Sequence, residues 1–134
     1  MLPFGKAKIT MAGDSLTVVT WGAMVERCEL AAKKTGQSIE VIDLRTIAPW
    51  DREAVLDSVK RTRRCLIVHE DGMTAGFGAE VAATVAQEAF FNLDAPIQRL
   101  AIPDVPVPHN FDLMDAVVPT VESIAGRMTE VLEA

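Results

Sequence analysis

Six side chains could carry acid–base chemistry if the fold brought them together: Asp43, Arg45, His69, Glu70, Asp71 and His109. Carboxylates and imidazoles supply general acids and bases, and a guanidinium can hold an anionic substrate. Three of the six open the stretch HEDGMTAGFGAE, His69 to Glu80, which also holds Gly72, Gly76 and Gly78. Glycines between a strand and a helix can cradle phosphate, but this spacing matches neither G-x-G-x-x-G nor G-x-x-x-x-G-K-[ST]. No lysine follows, and Glu70 and Asp71 would repel a phosphate at close range. The spacing fits better a sharp turn in which glycine lets the backbone approach its neighbours closely. His69 by itself reads as a hydrogen-bonded strand-end residue. The chain offers no serine elbow, no metal-ligand spacing and no placed nucleophile. Cys28 and Cys65 fall inside apolar periodic segments and read as buried free thiols.

Those residues need elements to position them, and strand and helix patterns alternate along the chain. The runs AKITM (Ala7–Met11) and LTVVT (Leu16–Thr20) flank Ala12-Gly13-Asp14-Ser15, a spacing that predicts a hairpin. A helix carries Met24, Val25, Cys28, Ala31 and Ala32 at helical spacing and stops at Gly36. IEVID (Ile39–Asp43) is a strand, and Asp51 is the N-cap of a helix turning Val55, Leu56 and Val59 inward. CLIVH (Cys65–His69) has the continuous apolar run of a central parallel strand. An alanine-rich helix, Ala79 to Phe91, a last strand, IQRLA (Ile97–Ala101), and a final helix from Pro119 follow. The connector IPDVPVPHNF is proline-spaced and extended. Alternation of this kind predicts a three-layer α/β domain. Its sheet is mostly parallel, with one antiparallel edge strand and helices on both faces. One domain spans residues 1–134. In such sheets ligands favour the carboxyl ends of the strands. Four segments gather there: Trp21-Gly22, Asp43 to Arg45, His69 to Gly78, and Asp104 to His109.

A chain of 134 residues can bury a core without disulfides or metals. With aromatics at 5% and no tyrosine, alanine, valine and isoleucine must fill that core. The net charge of −6 argues against nucleic-acid binding and suits a basic protein partner. The basic run Lys60, Arg61, Arg63, Arg64 sits where it complements a helix dipole. No stretch is long and apolar enough to span a membrane, and no targeting segment is visible, so a reducing compartment is expected.

The alanine-rich helix is unusual. Glu80, Thr84, Gln87 and Glu88 make one narrow polar stripe, while Val81, Ala82, Ala83, Val85, Ala86, Ala89 and Phe90 occupy most of the rest. A helix that merely covers a sheet shows a wide polar face. Two readings stay open: a subunit interface through Ala82, Ala83, Ala86 and Phe90, or cover by the chain's own last helix.

The segments TWGAMV, VIDLRTIAPWD, VHEDGMTAGFGAEVAATVAQEAF, LDAPIQRL and DVPVPHNF, in this order, resemble the C-terminal domain of the transketolase superfamily. They are most similar to the beta subunit of the decarboxylating component of 2-oxo acid dehydrogenase complexes. DLRTIAPWD, FFNLDAPIQR and VPHNF look most like the branched-chain type, with the pyruvate and acetoin types as alternatives. The resemblance implies a five-stranded sheet of the transketolase C-terminal kind. It implies an upstream domain in a longer subunit, which with the alpha subunit holds thiamine diphosphate and magnesium. Neither a catalytic nor a cofactor residue carries over to this chain. Implied partners are the alpha subunit, a second beta subunit and the subunit-binding domain of the acyltransferase core. No nucleic acid or membrane is implied. The location would be the bacterial cytoplasm or the mitochondrial matrix. Asp94, before Ala95-Pro96, matches a docking carboxylate, though it could equally cap a turn; Glu130, Glu133 and the carboxylate of Ala134 add negative charge. A stand-alone small-molecule enzyme using the carboxyl-edge residues and an independent protein-binding module are the competing readings.

Overall fold

The computed structural model describes residues 5–72, 76–102 and 118–134. Its elements are β1 (Lys8–Met11), β2 (Leu16–Thr20), α1 (Met24–Thr35), β3 (Ile39–Asp43), α2 (Arg52–Thr62), β4 (Cys65–Gly72), α3 (Phe77–Ala89), a 3₁₀ turn (Phe90–Asn92), β5 (Gln98–Ile102) and α4 (Val121–Glu133). The five strands form one sheet in the order β1-β3-β2-β4-β5. Strands β2 to β5 are parallel, and β1 alone runs antiparallel, on the edge beside β3.

Alternate residues of each strand point to opposite faces, so the central strands must be apolar on both. Val18, Val41, Leu66 and Val68 join Met24 and Cys28 of α1 and Ile124 and Met128 of α4 in one core. Val19, Ile42, Cys65 and Ile67 join Val55 and Val59 of α2 and Val81 and Val85 of α3 in the other. The expected three-layer architecture is therefore present, and α4 lies on the face opposite α3. This excludes cover of the alanine-rich helix by the chain's last helix.

The hairpin expectation fails. β1 and β2 are not paired; β3 lies between them, with Lys8 opposite Asp43 and Leu16 beside Ile39. The link from Ala12 to Ser15 passes across the start of β3. Ser15 N–H donates to Ser38 O at 2.8 Å, and Asp14 N–H to Ser38 Oγ at 2.9 Å. A Cβ on Gly13 would lie 2.3 Å from the Ile39 carbonyl carbon, so glycine makes the crossing possible.

Helix limits follow local chemistry. α1 ends at Gly36 with φ 68°. Asp51 caps α2 by accepting from Ala54 N–H, and its other oxygen accepts from Ala7 N–H at 3.0 Å, tying the approach to β1 to the helix. α4 begins two residues after Pro119: Thr120 is the N-cap, in a reciprocal box with Ser123. The alanine-rich helix starts at Phe77 and gives way to the 3₁₀ turn at Phe90. β4 runs past His69 to Gly72 with an irregularity: four steps from Val68 to Gly72 match two on β5, Leu100 to Ile102.

Candidate functional site

The carboxyl edge is built from the ends of β2, β3 and β4, where Thr20 lies level with Asp43 and Val68. Asp43 Oδ1 accepts from Arg45 N–H at 3.0 Å, a local turn that sets Arg45 at φ 64°. Leu44 between them is buried, its N–H donating to Thr20 O. His69 is fully buried and stacks flat on Trp21, ring centroids 5.2 Å apart. Phe77 meets the edges of both Trp21 and Trp50. Glu70 is exposed. His109, the segment Asp104 to His109 and the side chain of Asp71 lie outside the described residues. The sequence candidates brought to this edge thus sit around a packed aromatic cluster, with His69 as one of its layers.

The glycine stretch is explained by the same packing. A Cβ on Gly78 would lie 2.2 Å from His69 Nε2, so the imidazole occupies the room that a phosphate cradle would need. Among the described residues no group of three or more His, Cys, Asp or Glu is placed to hold a metal ion. These residues do not fit a diphosphate with its magnesium. Burial pushes both Cys28 and Cys65 up to about 12, leaving neither as a thiolate nucleophile near neutrality.

Ile9, Leu30 and Ile47 are exposed singly elsewhere, and the two most exposed large apolar side chains, Phe90 and Phe91, lie together on the 3₁₀ turn after α3. Val81, Thr84, Val85 and Ala89 face the core, while Ala83, Ala86 and Phe90 are exposed and Ala82 is half-buried. Thr84, expected on the polar stripe, is buried. Phe91, which the sequence reading passed over, is 92% exposed. Its signal was the tandem Phe90-Phe91 after Ala89, where the small residues of the helix give way to two bulky neighbours about 100° apart. A groove of about 660 Å³ begins here, lined by Ala86, Phe90, Phe91, Leu93, Pro96 and, at its polar wall, Asp94.

Asp94 stands at the amino edge of the sheet. Its Oδ1 accepts from Arg63 Nε at 3.0 Å, and its N–H donates to Arg63 O at 2.8 Å. The next residue, Arg64, donates from Nε to Val131 O in the last turn of α4. The Arg63-Arg64 pair is therefore flanked by Asp94 on one side and by the end of α4 on the other. Glu130 pairs with Arg127 at 3.3 Å, and Glu133 and Ala134 are exposed. A third member of the basic run, Arg61, binds Glu40, Asp14 and Gly13 O. Arg61, Arg63 and Arg64 thus serve contacts within the chain, and Lys60 is exposed.

Arg61 also closes a polar network that was invisible in the sequence. Glu40, on β3, is buried and accepts from Ser58 Oγ of α2 at 2.7 Å and from Gly13 N–H at 3.3 Å. Thr17 Oγ1 lies 2.6 Å from both Ser58 and Thr62 hydroxyls. This cluster joins β2, β3 and α2.

Comparison with known proteins places this geometry in a family. Residues 5–124 match the family described as transketolase, C-terminal domain. The chain is 44% identical over 115 residues to the mitochondrial 2-oxoisovalerate dehydrogenase subunit beta of Dictyostelium discoideum, covering 83% of this chain and 31% of that protein. It is 39% identical over 133 residues to the pyruvate dehydrogenase E1 component subunit beta of Rickettsia bellii, covering 97% of this chain and 41% of that protein. It thus spans well under half the length of these relatives. Among solved structures, a split-gene transketolase described as an inactive beta4 tetramer superposes with a TM-score of 0.83 at 22% identity, over 98% of this chain and 43% of that one, and supports the fold. The three-layer sheet, the family match and the identity to dehydrogenase beta subunits agree: the chain belongs to the transketolase C-terminal domain family, in the form found in 2-oxo acid dehydrogenase beta subunits.

Proposed function

We propose that this chain is the assembly and docking domain of the beta subunit of a branched-chain 2-oxo acid dehydrogenase, supplying surfaces to the oxidative decarboxylation and no reacting group. The observation that carries this is the exposed apolar face of α3 and its 3₁₀ turn, running into a groove with a carboxylate on its wall. Fully burying two phenylalanines contributes roughly 3–6 kcal/mol to association before its entropic cost. Ala82, Ala83, Ala86 and Phe90 form the contact with another subunit, their small side chains permitting close helix approach. Asp94, Glu130, Glu133 and the carboxylate of Ala134 receive the basic subunit-binding domain of the acyltransferase. Thiamine diphosphate and magnesium belong to the alpha subunit and the beta subunit's upstream domain. The higher identity to the 2-oxoisovalerate relative supports the branched-chain assignment. The longer alignment with the pyruvate dehydrogenase relative favours pyruvate as the second reading. Offering 3-methyl-2-oxobutanoate and pyruvate to the assembled enzyme separates the two.

Docking is tested by surface plasmon resonance. The beta subunit carrying this chain, assembled with its alpha partner, is titrated with the subunit-binding domain at two salt concentrations. Exposed charge pairs are screened within about 10 Å at 0.1 M salt. Wild type should weaken as salt rises, and Asp94→Ala should weaken binding and flatten that dependence. Because the Asp94 carboxylate is partly exposed, at 42% of its side chain, the loss should fall mainly on the association rate. Equal rates for both proteins at both salts remove Asp94 from the site.

A further inference from the structure

Arg63 is an odd residue to find where it is. It ends α2 in the left-handed region, φ 67°, a conformation that favours glycine. Its side chain nevertheless reaches across to Asp94, whose carboxylate forms the polar wall of the apolar groove. We infer that Arg63 is an internal occupant of the docking carboxylate: it holds Asp94 in the free chain and yields to a cation presented by the partner. The inference rests on the reading of Asp94 as a docking group and adds to it a built-in competitor that sets affinity.

Three observations support a contact that can yield. The two side chains are 45% and 42% exposed, so the pair sits at the rim in high dielectric and is weak. The bond runs through Nε to one carboxylate oxygen, without the two parallel bonds that make an arginine–carboxylate pair strong. The main chain of Asp94 is held independently, by the 2.8 Å bond of its N–H to Arg63 O, so the ion pair is not needed to keep the residue at the groove.

The occupant follows from charge and shape. A wall that already takes a guanidinium selects a lysine or arginine. Phe91, Leu93 and Pro96, the part of the groove lining that the subunit contact leaves open, select an apolar side chain next to it. The partner segment therefore presents a basic residue beside an apolar one, and Arg63 shows where the positive charge goes.

The test uses the assembled subunit and the basic subunit-binding domain, with Arg63→Gln, Arg63→Gly and Asp94→Asn singly and in combination. Arg63→Gln removes the charge and keeps the left-handed backbone; Arg63→Gly removes both the charge and the strain. Freed of a rim-exposed competitor, both Arg63 variants should bind about twofold to fivefold tighter, with a steeper salt dependence. Neither should tighten binding when Asp94→Asn is also present. Unchanged or weaker binding in both variants overturns the competitor. Tightening by Arg63→Gly alone assigns the effect to backbone relief and also overturns it. If Asp94→Asn leaves wild-type affinity intact, the docking reading itself fails and takes the competitor with it. Loss in Asp94→Asn with no gain in the Arg63 variants refutes only the competitor.

Discussion

Gly78→Ala should destabilise the chain although it places a good helix former in a helix. The new Cβ would sit 2.2 Å from His69 Nε2 and 2.5 Å from Cδ2, where ordinary contact begins near 3.4 Å. Relief requires a shift of more than about 1 Å, well beyond the few tenths a packed core gives easily. The imidazole has little room to retreat: it is fully buried and stacked on Trp21, which Phe77 holds from its edge. Overpacking of this kind costs about 1–3 kcal/mol. Alanine returns up to about 1 kcal/mol over glycine in a helix interior, and less here, in the first turn of α3. The net loss is about 1–2 kcal/mol. With a urea slope of about 2 kcal/mol/M, the unfolding midpoint should fall by about 0.5–1 M. Tryptophan fluorescence reads the transition, and the native emission should change as well because Trp21 is the stacking partner. The double variant Gly78→Ala, His69→Ala opens space for the methyl group, so the two changes should be non-additive by about 1 kcal/mol or more. A midpoint for Gly78→Ala at or above wild type, or strict additivity in the cycle, would refute the idea that this glycine exists to admit the imidazole.

Glu40→Ala should cost about 1–3 kcal/mol in the same urea assay, because it strips the Ser58 hydroxyl and the Gly13 N–H of their buried acceptor, while Arg61 turns to solvent. Cys28 and Cys65 should resist iodoacetamide in the native chain at pH 8 and both react once urea unfolds it; rapid native labelling would contradict their burial. Since burial raises these thiols above their ordinary range, their contribution to stability is intact below about pH 9 and is lost as pH rises toward 12, which a pH series of urea midpoints above 9 would register. Ala86→Arg should leave the unfolding free energy within about 0.5 kcal/mol of wild type, because the position is exposed, yet disrupt subunit association by sedimentation; unfolding instead would make α3 internal core.

The elements were legible because their signals are local. Gly36, Asp51 and the apolar run Cys65–His69 each terminate, cap or bury a segment by short-range chemistry, and each does so here. Strand pairing is not local. Ala12 to Ser15 has the length of a hairpin turn, but the same four residues can cross the end of another strand when one of them is glycine. Only the position of β3 decides, and it lies more than twenty residues further along. The Glu40 network was hidden for a similar reason. An acidic residue within IEVID looks like the solvent face of an edge strand, and β3 becomes interior once β1 covers it.

The surface was legible only in part. The side chains of the carboxyl edge able to do acid–base work, Asp43, Arg45, His69 and Glu70, are spent on a turn, an aromatic stack and solvent. Composition led to α3, where the excess of apolar residues over what a sheet-covering helix needs was a real signal. It could not orient the helix, because alanine sits as readily against solvent as against a core, and so Thr84 turned inward while Ala83 and Ala86 turned out. Orientation came from the bulky residues, Val81 and Val85, which claim the core, and from Phe90 and Phe91, which do not fit it. Arg63 makes the same point about charge. Near a helix C-terminus it looked like a dipole complement, a role any cation fills. Its particular work appears only when the chain returns from α3 and sets Asp94 beside it, because that return places one ion pair, one backbone bond and one apolar groove at a single edge of the sheet. A domain that acts by contact is therefore recognised by where its apolar residues and weakly held charges are left over, and those remainders exist only after folding.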